Sequence, residues 1–207
     1  MAARGSRGRP NQRHRTRKDL LSAAARLLKS GTTPSMEAVA EAAMVSRATA
    51  YRYFPTLDAL LVEAPLDGEV VDPDALFAHV ESIDPEARID AAEASMHEMV
   101  SRNAPQLRRM LANSLSRPPD GGGIPLRQNR RSRLIETALA PAKRRLSRAA
   151  CRRLCAALAV YFGPEAMVVF RDVLGIDDAE ARKVKSWAVR ALVRAAFNES
   201  RREGEGA

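Results

Sequence analysis

Aromatic residues are scarce: five Phe, three Tyr and one Trp make up 4% of 207 residues. A β-sandwich or barrel draws heavily on aromatic and β-branched side chains, so this poverty, beside abundant Ala, Leu and Arg, favours helices. Cysteine is nearly absent. Cys151 and Cys155 stand at i, i+4 on an expected helix, where a disulfide is strained and two thiolates are too few for a structural zinc site. His14, His79 and His97 are scattered, with no Asp, Glu or Cys at ligand spacing, so no metal and no cofactor is expected. There is no run of about 18 apolar residues, hence no transmembrane helix and an expected cytoplasmic location. No nucleophile–base pair, glycine-rich phosphate loop or carboxylate cluster is present, which argues against an enzyme.

What the chain does have is charge, unevenly placed. Lys and Arg total 34 against 25 Asp and Glu, a net of +9, which suits a polyanionic partner. Residues 1–18 carry seven basic side chains and no acidic one. They are expected to form a basic flexible arm, assigned to residues 1–15. From Asp58 to Glu98 the sign flips, with twelve acidic side chains against Arg88 alone. A basic stripe follows over residues 127–153. It fits ion pairing with the preceding acidic segment, an anionic ligand or interface, or DNA.

Apolar spacing predicts helices throughout. The first runs from Thr16 to Lys29, with Leu20, Ala24, Leu27 and Leu28 on one face. Others are expected at 57–63, 74–80, 85–103, 105–116, 126–146, 147–162, 165–174 and 177–200. Asp84 and Pro85 mark one start as N-cap and first-turn proline. Residues 118–125, with three Pro and three Gly, read as a loop.

The informative stretch is Ser35-Met-Glu-Ala-Val-Ala-Glu-Ala-Ala-Met-Val-Ser-Arg-Ala-Thr-Ala-Tyr-Arg-Tyr-Phe54. Met36, Val39, Ala40 and Ala43 share one helix face, with Ser35 as N-cap. Ser46 caps a second run whose inward positions are Ala50 and Phe54. Only a tight corner fits between them, so residues 35–54 predict a helix-turn-helix. The second helix carries Arg47, Thr49, Tyr51, Arg52 and Tyr53, which supply guanidinium forks, a hydroxyl and phenols for base edges or phosphates.

That run, continued through Pro-Thr-Leu-Asp-Ala-Leu-Leu61, resembles the TetR family of bacterial transcriptional regulators over residues 14–64, notably at Val45-Ser46, Thr49, Tyr51, Tyr53-Phe54 and Leu60. The resemblance implies an all-α chain, with a three-helix helix-turn-helix DNA-binding domain at 16–64 and a larger helical effector-binding and dimerisation domain at 65–207. It further implies a homodimer on a palindromic double-stranded operator and a small-molecule effector, most simply as a repressor. Ser35 would touch a phosphate, Arg47 and Thr49 would face bases, Tyr51 and Tyr53 would hold the backbone, Arg52 would add a phosphate or base contact, and Arg15 and Arg17 would reach DNA from the arm. An effector pocket would involve Met96, Met99, Met110 and Phe170, residues that equally suit plain core. The dimer face would involve Trp187, Ala188, Ala191 and Ala195, with Trp187 alternatively a core anchor. The chain departs from the family pattern at Met44, where Gly is usual in the turn, and at Leu57, where Lys is common. Two other readings remain open: an architectural DNA binder without effector response, and a helical protein-interaction adaptor.

Overall fold

The computed structural model describes residues 8–30, 33–69, 71–78, 80–116, 127 and 129–205, and every regular element among them is helical. In chain order these are α1 (Gly8–Lys29), α2 (Met36–Ala42), α3 (Arg47–Tyr53), α4 (Leu57–Asp67), α5 (Pro73–Phe77), α6 (Pro85–Arg102), α7 (Ala104–Leu115) and α8 (Arg131–Leu139). A 3₁₀ segment (Ala140–Arg145), α9 (Arg148–Ala159), α10 (Pro164–Val168), a π turn (Val169–Val173) and α11 (Asp178–Glu205) complete the series. No single described helix is long and apolar enough to cross a membrane. The chain divides into two units: α1–α4 with 105–128, and 70–104 with 129–207.

The division corrects the expected boundary at 65. Segment 105–116 belongs to the first unit, where Met110, Asn113 and Ser114 line a small cavity with Arg17, Phe54, Pro55, Ala59 and Glu63. Arg109 also lies 3.7 Å from Asp58. Met110 is therefore withdrawn from the expected effector pocket. The expected arm is corrected too, because residues 8–15 already form the first two turns of α1; residues 1–7 lie outside the described ones.

In the first unit, the inward stripe of α1 is Leu20, Leu21, Ala23 and Ala24, all fully buried. It meets Met36, Val39 and Ala40 of α2, Ala50 of α3, Phe54, and Leu60 and Ala64 of α4. Burying a Leu-sized side chain contributes about 1.5–3 kcal/mol, so this cluster holds three short helices that would not form alone. Ser35, Ser46 and Thr56 start α2, α3 and α4 by accepting from the N–H of Ala38, Thr49 and Ala59 at 3.2, 3.1 and 3.1 Å. Each cap satisfies an otherwise orphaned donor.

Arg17 continues the same stripe, one turn before Leu20 and Leu21, and is 1% exposed. It pairs with Glu63 of α4, donates to the Tyr53 carbonyl at 3.3 Å and stacks 4.1 Å from the Phe54 ring centroid. One guanidinium thus ties α1, the end of α3 and α4 together, and the DNA contact expected of Arg17 is corrected to an internal strut.

In the second unit the single helix expected at 126–146 is two elements, α8 and the 3₁₀ segment. Pro141 has no N–H to give the Thr137 carbonyl, so the α pattern stops there. Arg88 of α6 takes the freed carbonyls: its Nη2 donates to Thr137 O at 3.2 Å and its Nε to Ala138 O at 2.9 Å. The same guanidinium covers the Phe77 ring at 4.1 Å.

Alongside, α11 packs on α6 through an apolar stripe interrupted by charge. Glu93 is fully buried, 2.6 Å from Lys185 and 3.2 Å from Arg182. Burial raises the Glu93 carboxyl and lowers the Lys185 ammonium from their ordinary values. Asp90 accepts from Arg182 and Arg190, both at 2.8 Å, and Glu86 from Arg194 at 2.7 Å. A buried network of this sort contributes more to register than to stability.

The basic stripe pairs within the chain, with the acidic segment through Arg133 and with later carboxylates through Arg131 and Arg153. Arg133 reaches Asp74 at 2.6 Å and Asp72 at 3.5 Å. Arg131 reaches Glu165 at 3.0 Å, and Arg153 reaches Glu199 of α11.

Met96 and Met99 are buried core residues of α6. Phe170 instead lines a cavity with His97, Val100, Met167 and Lys185 that holds only about 10 Å³, room for little more than one water. The four residues expected around a pocket are therefore not brought together. Ala188 is 7% exposed and belongs to the α11 core stripe rather than to an outer face, whereas Trp187 is 72% exposed and is not a core anchor within the chain.

Candidate nucleic-acid interface

The corner between α2 and α3 is built by two hydrogen bonds. Met44 N donates to Glu41 O at 2.9 Å and Val45 N to Ala40 O at 2.9 Å, while half-buried Val45 packs on the core. This is a Schellman ending, and it requires a left-handed residue at position 44. Met44 takes it, with φ 54° and its side chain 93% exposed. The turn expected of a glycine is thus kept without one, at a cost of about 1–2 kcal/mol.

With Ala50, Tyr53 and Phe54 turned inward at 0%, 3% and 2% exposure, the helical period turns Arg47, Ala48, Tyr51 and Arg52 outward. All four are exposed, as is Ser35 at the start of α2. The Tyr53 ring lies three residues from Ala50 on the inward side, so the backbone role expected of it is corrected to core packing. Thr49 is half-buried. Its Oγ1 accepts from Ser46 Oγ at 2.9 Å, a contact that leaves its own O–H free to donate. Arg15 is exposed on α1.

Arg47 is held in place by its neighbours. Its Nε lies 2.8 Å from Glu37 Oε1, with both side chains more than half exposed, and its guanidinium sits 5.4 Å from the Tyr51 ring centroid. The Glu37 carboxyl is held below its ordinary value, first by a backbone hydrogen bond at the start of α2, then by Ser35 and Arg47. It is ionised at neutral pH and orients Arg47 until an acceptor with greater charge or better geometry displaces it. Arg52 lies 5.8 Å from the Tyr53 ring.

The arrangement presents one convex helix of about two turns, fork-shaped and phenolic donors on its outer side, and a second helix N-terminus beside it. Such a helix fits a major groove. Ala48 escaped sequence reading, since a methyl group carries no obvious chemistry. The periodicity fixing Ala50 and Phe54 inward was the signal that would have placed it on the outer face. Among the described residues no group of three or more His, Cys, Asp or Glu is placed to hold a metal ion.

Residues 20–64 match the family model described as bacterial regulatory proteins, tetR family. No curated protein matches the chain. The matched segment spans the C-terminal part of α1 from residue 20, all of α2 and α3, and most of α4, which together carry the core and the outward face just described. The N-terminal segment 20–64 is thus similar to the bacterial regulatory proteins of the tetR family, whose N-terminal part is a helix-turn-helix DNA-binding fold.

Proposed function

We propose that the chain is a homodimeric, sequence-specific repressor that releases a palindromic operator when a small molecule binds its second unit. The observation that carries the DNA half is the outward set Arg47, Ala48, Tyr51 and Arg52 on a helix whose opposite side is locked to α1 and α4. Arg47 would pair with a guanine edge, the Ala48 methyl would meet a thymine methyl, and Tyr51 and Arg52 would hold phosphates. Ser35 and Arg15 would add backbone contacts.

The dimer half is supported by the outer side of α11. Trp187 is exposed beside half-exposed Val184 and Ala191 and exposed Ala195, an apolar strip of mostly small residues that suits close helix approach in a four-helix bundle. A second copy of the chain would cover this strip, and an operator of two half-sites one DNA turn apart would call for α3 helices about 34 Å apart. An effector bound more tightly by a state with another spacing would shift the population away from DNA.

Mobility-shift titration of Arg47→Ala and Tyr51→Phe on a selected operator tests the reading. Each substitution is expected to weaken binding tenfold or more, with the fold and the dimer unchanged. Undiminished binding by both would refute the role of α3.

A further inference from the structure

One part of the basic stripe is left over after the pairing described above. Lys143 and Arg144 on the 3₁₀ segment, and Arg148 and Arg152 one turn apart on α9, have no carboxylate partner among the described residues. They line one groove with Ser132, Glu136 and Leu146, of about 820 Å³.

The groove follows from the local sequence. Pro141 ends α8 early, Leu146 is extended (φ −115°, ψ 141°), and Ser147 starts α9 by accepting from Ala150 N at 3.1 Å. The chain therefore turns back, and α9 packs beside α8. The facing positions Ala140, Ala156 and Ala159 are too small to fill the trough between them. Four cations share this space with a single acid, Glu136. Among the described residues Glu136 offsets only part of their mutual repulsion, so an anion there is favoured. The volume suits one small molecule. Leu146, the three alanines and the Cys151 and Cys155 side chains supply an apolar surface.

The Cys155 thiol is not a reactive group of this groove. Burial, then Cys151 and Glu136, push the Cys155 thiol up to about 11, so it stays protonated near neutrality and is neither nucleophile nor metal ligand.

We propose that the groove between α8, the 3₁₀ segment and α9 binds an amphipathic anion, its carboxylate or phosphate head held by Arg148, Arg152, Lys143 and Arg144 and its apolar body lying over Leu146, Ala156 and Ala159. This deepens the effector half of the proposed function and does not depend on the DNA half.

Calorimetric titration of the full chain, free of DNA, with decanoate, decyl phosphate and 1-decanol is the test. At least one anion is expected to saturate one site per chain, the better one identifying the head group. The Arg148→Ala/Arg152→Ala double variant, changed only at exposed side chains, is expected to bind it at least tenfold more weakly. Arg153→Gln, next on the same helix but paired with Glu199, is expected to bind as the parent does. Bound anion is also expected to slow maleimide labelling of Cys151. No saturable binding by either anion, equal affinity for decanol, or undiminished binding by the double variant overturns the inference. An anion that binds the groove but leaves DNA affinity unchanged would support the site and refute the effector reading.

Discussion

Two side chains that look alike in sequence do opposite jobs. Arg15 is exposed, whereas Arg17 is buried against Glu63 and Phe54. Removing one partner of a buried ion pair strands the other charge and costs about 3–5 kcal/mol, a large part of a domain's stability. Urea denaturation of Arg17→Ala is therefore expected to show a loss of that size, with Glu63→Ala alike and the double variant far less than additive. Arg15→Ala should leave the midpoint where it is. Met44 carries strain of the reverse kind. Met44→Gly relieves a left-handed Cβ, and after the greater freedom of the unfolded glycine chain is subtracted it should stabilise by about 1 kcal/mol, raising Tm by about 2–4 °C. A lower Tm would mean that the corner does not hold the φ of 54° seen here.

Among the elements, α6 and α11 give a pH dependence. His97 Nδ1 lies 2.7 Å from Lys185 Nζ, and its Nε2 lies 3.5 Å from Asp178, which also accepts from Ser101. Burial, then the Lys185 ammonium, lower its imidazole from the ordinary value, against the pull of Asp178. A lowered folded-state value means the unfolded chain takes up the proton first. The contribution is thus present above the unfolded value of about 6.5 and lost as pH falls from there through the folded value. Glu93, raised by burial, acts in the opposite sense but is common to wild type and variant. Thermal melts from about pH 7.5 to about pH 5.5 are expected to show a larger fall in Tm for wild type than for His97→Gln. Equal falls would remove His97 from this role.

The same elements show what the sequence made legible. The caps Ser35, Ser46 and Asp84 marked helix starts because a short acceptor before an apolar period has one good use, and α2, α3 and α6 begin where they were expected. The end of α8 at Leu139 departs from the single helix expected at 126–146: Pro141 removes a donor locally, while the group that takes the freed carbonyls, Arg88, lies some fifty residues earlier. The burial of Arg17, Glu93 and Lys185 is not announced by their side chains, because charge is the default signal of exposure. Each nevertheless occupies a position of its helix's apolar stripe, beside Leu20 and Leu21, Ile89 and Ala92, and Ala188 and Val189. Period outranked polarity there, since each charge found a partner on a neighbouring helix. Trp187 stood outside its stripe by the same rule, and its exposure follows.

At the scale of the whole molecule, a helix-turn-helix unit is followed by a second helical unit whose last helix carries an apolar strip exposed in the single chain. Trp187→Asp places a charge in that strip at a side chain already exposed in the single chain. It is expected to leave the circular dichroism spectrum unchanged and to move the sedimentation velocity peak from dimer to monomer. A dimer that survives would place the interface elsewhere. The central claim is tested most directly by selecting DNA from a random pool with the purified full chain, in parallel with Arg47→Ala. The account predicts that wild type enriches an inverted repeat whose half-site centres lie about one turn apart, roughly 34 Å or 10 base pairs, and that Arg47→Ala, equally folded, loses the enrichment. No enriched motif, or the same repeat enriched as strongly by Arg47→Ala, would contradict it.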